Sequence, residues 1–185
     1  IAGASDDCTA KVWCASSGEI LKTLSGHGDD VKSAAFSPDF ALIATASCDS
    51  TARLWASCTG ECVGVLAGHS DVVKSASFSP NGLLIVTASM DSTARIWRAV
   101  EPQAYECLQV LGGHAKAVNS AAFSPNEGQV LTASFDGTVR LWQAEDGECT
   151  LVLPADNAVV NAATFSPDGS LVLLASGGEC VRLFH

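Results

Sequence analysis

Histidine, threonine and aspartate recur together three times in this chain. The sets are His27, Thr45 and Asp49; His69, Thr87 and Asp91; and His114, Thr132 and Asp136. An imidazole, a hydroxyl and a carboxylate are the parts of a nucleophilic triad, in which the ring takes the hydroxyl proton and the carboxylate orients the ring. His and Asp are also metal ligands. The spacing is constant, 18 residues from His to Thr and 4 from Thr to Asp in every set. A reacting constellation is normally single, so three copies at a fixed period point to a structural job. No P-loop, Gly-x-Ser-x-Gly or zinc signature occurs. The expectation is no catalytic residue, no metal site and no cofactor.

The three sets belong to a longer repeat. Ten-residue segments end on Trp13, Trp55, Trp97, Trp142 and Phe184, at steps of 42, 42, 45 and 42 residues. A period of that size is one supersecondary unit copied in tandem. In the unit around Trp55, residues 30–37, 42–47, 51–56 and 61–66 read as four short strands. They alternate or run apolar, and Pro, Gly, Asp and Ser separate them, which makes an antiparallel meander. The turns SPDF, SPNG, SPNE and SPDG join the first two strands of each copy. One meander cannot bury both its faces; stacked copies can.

The composition narrows the class. The chain has 185 residues, 48% of them hydrophobic, which is ample for a core. The net charge of −10 disfavours nonspecific nucleic-acid binding and an anionic membrane surface. No apolar run reaches the ~18 residues of a membrane span, and no secretory leader is visible. The chain begins at Ile1 in mid-repeat, so a longer parent protein is expected. Among eight cysteines, Cys62, Cys107 and Cys149 share one repeat position with Ile20. A slot that accepts Ile or Cys reads as apolar core, with free thiols and an intracellular setting, cytoplasmic or nuclear. Cys58 and Cys62 flank one hairpin, yet no second pair matches them as a metal site.

Several coincident features carry a family resemblance. Gly-His pairs stand at Gly26-His27, Gly68-His69 and Gly113-His114, Ser-Pro turns follow, and 28 residues separate each His from its Trp. The interval from Asp156 to Phe184 is also 28. The chain resembles the WD40 β-propeller family over nearly its whole length. The family's Trp-Asp pair is missing, because Cys14, Ala56, Arg98, Gln143 or His185 follows the aromatic. The resemblance implies an all-β propeller of four-stranded antiparallel blades. It covers residues 1–185 as one domain: a partial blade over 1–24, blades at about 29–66, 71–111 and 116–153, and a partial blade over 158–185. Rings of this family have about seven blades, so an open arc of three full and two partial blades is expected, with edges prone to self-association. The three extra residues between Trp97 and His114 are expected to lengthen the hairpin between third and fourth strands.

The resemblance also gives the polar residues their places. It implies a hydrogen-bonded tetrad in each blade: His27, Thr45, Asp49 and Trp55; His69, Thr87, Asp91 and Trp97; His114, Thr132, Asp136 and Trp142. Gly3 stands for the hydroxyl beside Asp7 and Trp13 in the first copy. The last copy has Asp156, Leu174, Gly178 and Phe184, so its tetrad is lost and it is expected to hold by apolar packing alone. Arg53, Arg95, Arg140 and Arg182, with Lys11, lie two residues before each aromatic and read as surface charges that offset carboxylates, the other reading being a ring of cations for a phosphorylated ligand.

Ligands of the family usually dock on the face made by the loops before the first strand and between the second and third. The matching positions are Asp30, Lys32 and Cys48; Val72, Lys74 and Met90; Ala117, Asn119 and Phe135; and Val159, Asn161 and Gly177, with Asp6 beside them. Met90 and Phe135 have two readings, an apolar patch for a partner extended by Val72 and Val159, or side chains folded back onto neighbouring blades; Lys32 and Lys74 read as cations for a partner's carboxylate or phosphate. The leading expectation is a noncatalytic scaffold that binds proteins or peptides. The alternatives are a sensor or autoinhibitory repeat domain of a larger regulatory NTPase, or a structural cytoskeletal or centriolar component.

Overall fold

The computed structural model describes residues 1–100, 104–155, 158–177 and the backbone of 181–184. It contains five antiparallel sheets taken in chain order. The first has β1 (Ala2–Ala4), β2 (Thr9–Trp13) and β3 (Ile20–Ser25). The second has β4 (Val31–Phe36), β5 (Leu42–Ser47), β6 (Thr51–Ala56) and β7 (Cys62–Ala67). The third has β8 (Val73–Phe78), β9 (Leu84–Ser89), β10 (Thr93–Val100) and β11 (Ala104–Gly112). The fourth has β12 (Val118–Phe123), β13 (Gln129–Ser134), β14 (Thr138–Gln143) and β15 (Cys149–Pro154). The fifth has β16 (Val160–Phe165), β17 (Val172–Ser176) and β18 (Val181–Phe184). Among the described residues no helix is long and apolar enough to cross a membrane.

The period of two in each strand explains the stacking. On β6, Ala52 and Leu54 face the third sheet and Trp55 faces the first. Leu54 and Trp55 are 0% and 1% exposed, so this strand is covered on both faces. Apolar clusters fill every gap between successive sheets. One example is Ala44, Ala46, Leu54 and Leu66 against Val73, Ile85 and Trp97. The first strands β4, β8, β12 and β16 pack against one another. Among the described residues, no strand of the first sheet pairs with one of the fifth, so the sheets form an open arc.

The Ser-Pro turns are built by one recurring hydroxyl. Ser37 Oγ donates to Asp39 Oδ1 at 2.6 Å and accepts from the Leu42 N–H at 2.9 Å. Ser79, Ser124 and Ser166 bind the residue five positions later in the same way. The fourth turn residue is left-handed throughout. Gly82 and Gly169 adopt φ near 75° freely, whereas Phe40 and Glu127 adopt it with a side chain in place.

The fourth strands β7, β11 and β15 bulge by one residue opposite the aromatic of the third, which sets Trp55 opposite Cys62, Trp97 opposite Cys107 and Trp142 opposite Cys149. This corrects the expectation of a core slot. Cys62 and Cys107 are exposed, Cys149 is half-exposed and Ile20 is 56% exposed. The position lies at or near the start of a fourth strand on the sheet edge, where Cys149 packs against an apolar cluster with part of its surface while Cys62, Cys107 and Ile20 stay exposed.

The three extra residues do lengthen the third and fourth strands of one sheet. Strands β10 and β11 have 8 and 9 residues, against 6 in the corresponding strands of the second and fourth sheets. The added ladder pairs Arg98 with Glu106 and Ala99 with Tyr105. Arg98 and Glu106 form an ion pair.

Candidate functional site

Three polar networks repeat with the period of the chain. His27 Nδ1 lies 2.8 Å from Asp49 Oδ2, His27 Nε2 lies 2.8 Å from Thr45 Oγ1, and Trp55 Nε1 donates to Thr45 Oγ1 at 2.8 Å. The second network joins His69 to Asp91 and Thr87 at 2.7 Å each, with Trp97 on Thr87 at 2.8 Å. The third joins His114 to Asp136 and Thr132, with Trp142 on Thr132, all at 2.8 Å. An indole N–H only donates and a carboxylate only accepts. The His ring therefore carries its proton on Nδ1, toward Asp, and Nε2 accepts the Thr hydroxyl proton.

Two further residues complete each network, and they recur in the sequence two places on either side of the Asp. Thr51, Thr93 and Thr138 donate both N–H and hydroxyl to the Asp Oδ1, at 2.6–3.0 Å. Ser47, Ser89 and Ser134 donate to the carbonyls of Asp29, Asp71 and Lys116 and accept the Asp N–H. They were legible as an invariant Ala-Ser before each turn.

Electrostatics follow from this geometry. Burial pushes the pKa values of His27, His69 and His114 below the ordinary 6.5, and the bond to Asp only partly offsets it. Burial alone pushes Asp49, Asp91 and Asp136 upward. Bonds from Thr51, Thr93 and Thr138 and from the histidines outweigh it and hold all three low, Asp91 at about 2. A neutral ring and an ionised carboxylate result. The Thr hydroxyl is fully buried, 0% exposed in all three networks, which keeps it from any external substrate.

The outer copies depart from the pattern. In the first sheet, Trp13 fills the space where Gly3 would carry a side chain, and Asp7 binds Thr9 and Lys11. In the fifth, Leu174 holds the register of Thr45 and is 0% exposed. Asp156, Gly178 and the Phe184 side chain lie outside the described residues.

The arginines are placed differently from the expectation. Among the described residues, Arg53, Arg95 and Arg140 form no ion pair. Their Nη1 atoms lie against Gly26, Gly68 and Gly113 beside the Trp ring, where a Cβ would meet them at 3.3, 3.1 and 2.9 Å. The glycine of each Gly-His pair makes that room. The Nε atoms of all three are buried without a partner. The Arg182 side chain lies outside the described residues.

The loop-face positions come together in pairs. The backbone N–H groups of Cys48, Met90, Phe135 and Gly177 donate to the carbonyls of Asp30, Val72, Ala117 and Val159, at 2.8–2.9 Å. Met90 and Val159 are 38% and 39% exposed, Val72 and Phe135 half-buried, and Ala117 buried. Lys32 is already engaged, since it bridges Asp6 at 3.0 Å and Asp30 at 2.8 Å. That removes it as a free cation for a partner. Lys74 is half-buried and has no ion pair among the described residues. Asn119 Nδ2 donates to the Val160 carbonyl of the next sheet, whereas Asn161 is exposed. Cys8 Sγ and the carboxylates of Asp29 and Asp30 lie within 4.8 Å of one another. Burial and these charges raise the thiol's pKa, so it stays protonated and is a poor metal ligand.

No curated protein sequence matches the chain. The family model described as WD domain, G-beta repeat matches residues 18–56, 60–98, 105–143 and 147–185. Each matched segment takes the last strand of one sheet and the first three of the next. Matched four times over most of its length, the chain belongs to the WD40-repeat family, whose domains are in general noncatalytic protein-interaction scaffolds.

Proposed function

We propose that residues 1–185 work as one noncatalytic adaptor unit that holds a protein or peptide on the loop face. The observation that carries this reading is the pairing of variable positions there. Four recurring backbone bonds bring Asp30 to Cys48, Val72 to Met90, Ala117 to Phe135 and Val159 to Gly177. Side chains change from sheet to sheet at these sites, while the networks beneath the first three pairs stay the same. The apolar groups of Val72, Met90, Phe135 and Val159 give a partner its anchor, with Lys74 and Asn161 as polar neighbours. Lys32 belongs to the inter-sheet ion pairs and contributes position rather than free charge. The free thiols of seven described cysteines go with an intracellular setting, cytoplasmic or nuclear.

The test is a double substitution, Met90→Ser with Phe135→Ser. Proteins retained by the native chain should be lost from the variant at an unchanged melting temperature. The same set of captured proteins in both would reject the face.

A further inference from the structure

A cavity of about 650 Å³ opens between the third and fourth sheets, at the opposite end of the strands from the loop face. Strand β13 runs from one end to the other: Gln129 pairs with Gln143 at the cavity end, and Ser134 pairs with Val118 near Asn119 and Phe135. Six residues of strand put the two ends about 20 Å apart. This cavity is therefore separate from the proposed loop-face site. Its volume lies in the ~300–1,000 Å³ range of ligand pockets.

The lengthened strands build one wall. Arg98 and Leu108 come from β10 and β11, which extend beyond the strands of the other sheets. Leu84, Leu108 and Ala144 supply apolar surface. Glu127 from the Ser-Pro turn, and Glu145 and Asp146 from the β14–β15 hairpin, supply carboxylates. Arg98, the one lining cation among the described residues, is paired with Glu106. Glu127 accepts a bond from the neutral Asn81 amide, and Asp146 caps its own turn through the Glu148 N–H. None of the three carboxylates is in an ion pair among the described residues. The cavity thus joins apolar lining to uncompensated negative charge.

We propose that this cleft docks a basic peptide segment. An apolar side chain of the peptide packs on Leu84, Leu108 and Ala144. Flanking Arg or Lys side chains bring their charged ends to Glu127, Glu145 and Asp146, with their methylene stems along the lining. Charge complementarity selects the partner, because an acidic peptide would meet three like charges.

The test uses the full chain and a fluorescein-labelled peptide, Arg-Leu-Arg-Ala-Leu-Arg, read by fluorescence anisotropy. An acidic counterpart with Glu for each Arg serves as control. The basic peptide should bind and the acidic one should not. Glu145→Lys, at an exposed position with no side-chain partner among the described residues, should weaken binding about tenfold. Leu108→Asp should weaken it as much; thermal melts check that it folds, and Glu145→Lys decides the matter if it does not. Glu61→Lys on the second sheet makes the same change in net charge away from the cleft and should leave binding intact. Equal losses with Glu61→Lys and Glu145→Lys would reduce the effect to diffuse attraction and overturn the cleft. So would loss on Met90→Ser with Phe135→Ser while Glu145→Lys binds normally, which moves the peptide to the loop face. No binding of the basic peptide also overturns it, and leaves the loop-face reading untouched.

Discussion

The ring of Tyr105 on β11 occupies the space where Gly64 on β7 would carry a side chain. Tyr105 is half-buried, and its ring joins the cluster between the second and third sheets. Gly64→Ala should displace the ring and destabilise the chain by about 1–3 kcal/mol. In a Tyr105→Ala background the same change should be close to neutral. Urea denaturation of the four forms measures this coupling, and additive effects would show that the two residues do not compete for one space.

Thr87→Val removes a hydroxyl while nearly keeping its shape. The Trp97 N–H and the His69 Nε2 then both lose their partner in a buried site. A loss of about 2–4 kcal/mol is expected, since each orphaned buried group costs about 1–3. Amide hydrogen exchange along β9 and β10 resolves the effect to one sheet, which a global melt of a repeat array does not. A double-mutant cycle on His69 and Asp91 should show coupling as well; no coupling would remove the network from the stability of the fold.

Acid should unfold the chain in two stages. The pKa values of His27, His69 and His114 are lower in the fold than the ordinary 6.5, so the unfolded chain binds more protons below that pH. Their contribution is complete above 6.5 and is lost as pH falls toward the folded values. Asp49, Asp91 and Asp136 are also lowered, from 3.8. Their contribution is present above 3.8 and is lost below it. Urea midpoints should be flat from pH 8 to about 7, then fall, and fall more steeply below about 4. Constant stability down to pH 5 would contradict neutral buried rings.

The fifth sheet should open first. Leu174 takes the place that Thr45, Thr87 and Thr132 hold elsewhere, so no hydroxyl there ties an indole to a His. Hydrogen exchange on β16 and β17 should be faster than on β5, β9 and β13. Equal protection in all five sheets would show that apolar packing suffices.

Self-association is expected of the isolated chain. Leu173 stands at the register of Ala44, Val86 and Leu131, which are 0–1% exposed, yet Leu173 is 40% exposed. Trp13, half-buried, faces outward from the first sheet, whereas Trp55, Trp97 and Trp142 are 1–2% exposed. Light scattering should show oligomers, and Leu173→Lys should shift them toward monomer. A monodisperse native monomer would contradict this.

Much of the fold was legible because its turns are written in Ser, Pro, Asp and Gly at a fixed period. The strands read at 42–47 and 51–56 are β5 and β6, while 61–66 falls one residue short of β7. The network residues share a spacing, and their hydrogen bonds follow it. Contacts between sheets were not legible. Lys32 looked free because Asp6, one of its two partners, lies 26 residues earlier on another sheet. The interchange of Cys and Ile suggested burial, yet both tolerate an edge position beyond a bulge. The arginines looked like surface charge, and only the stacking shows them lying on glycine. The acidic cleft arises where one lengthened hairpin meets the next sheet's turns, a meeting no single copy encodes.

The 42-residue copy and the four-stranded sheet are out of phase by one strand. A copy that ends on its aromatic contributes three strands to one sheet, and the strand that follows closes that sheet as the next copy begins. Each copy therefore acts like an overlapping tile, fastened to its predecessor by its own first strand. Gain or loss of whole tiles of the central kind leaves the three seams among the first four sheets with the same indole, the same small apolar residues and the same glycine beneath the arginine. Array length can then drift between related chains while the chemistry of the seams does not, and the residues free to diverge are those on the two exposed ends of the strands.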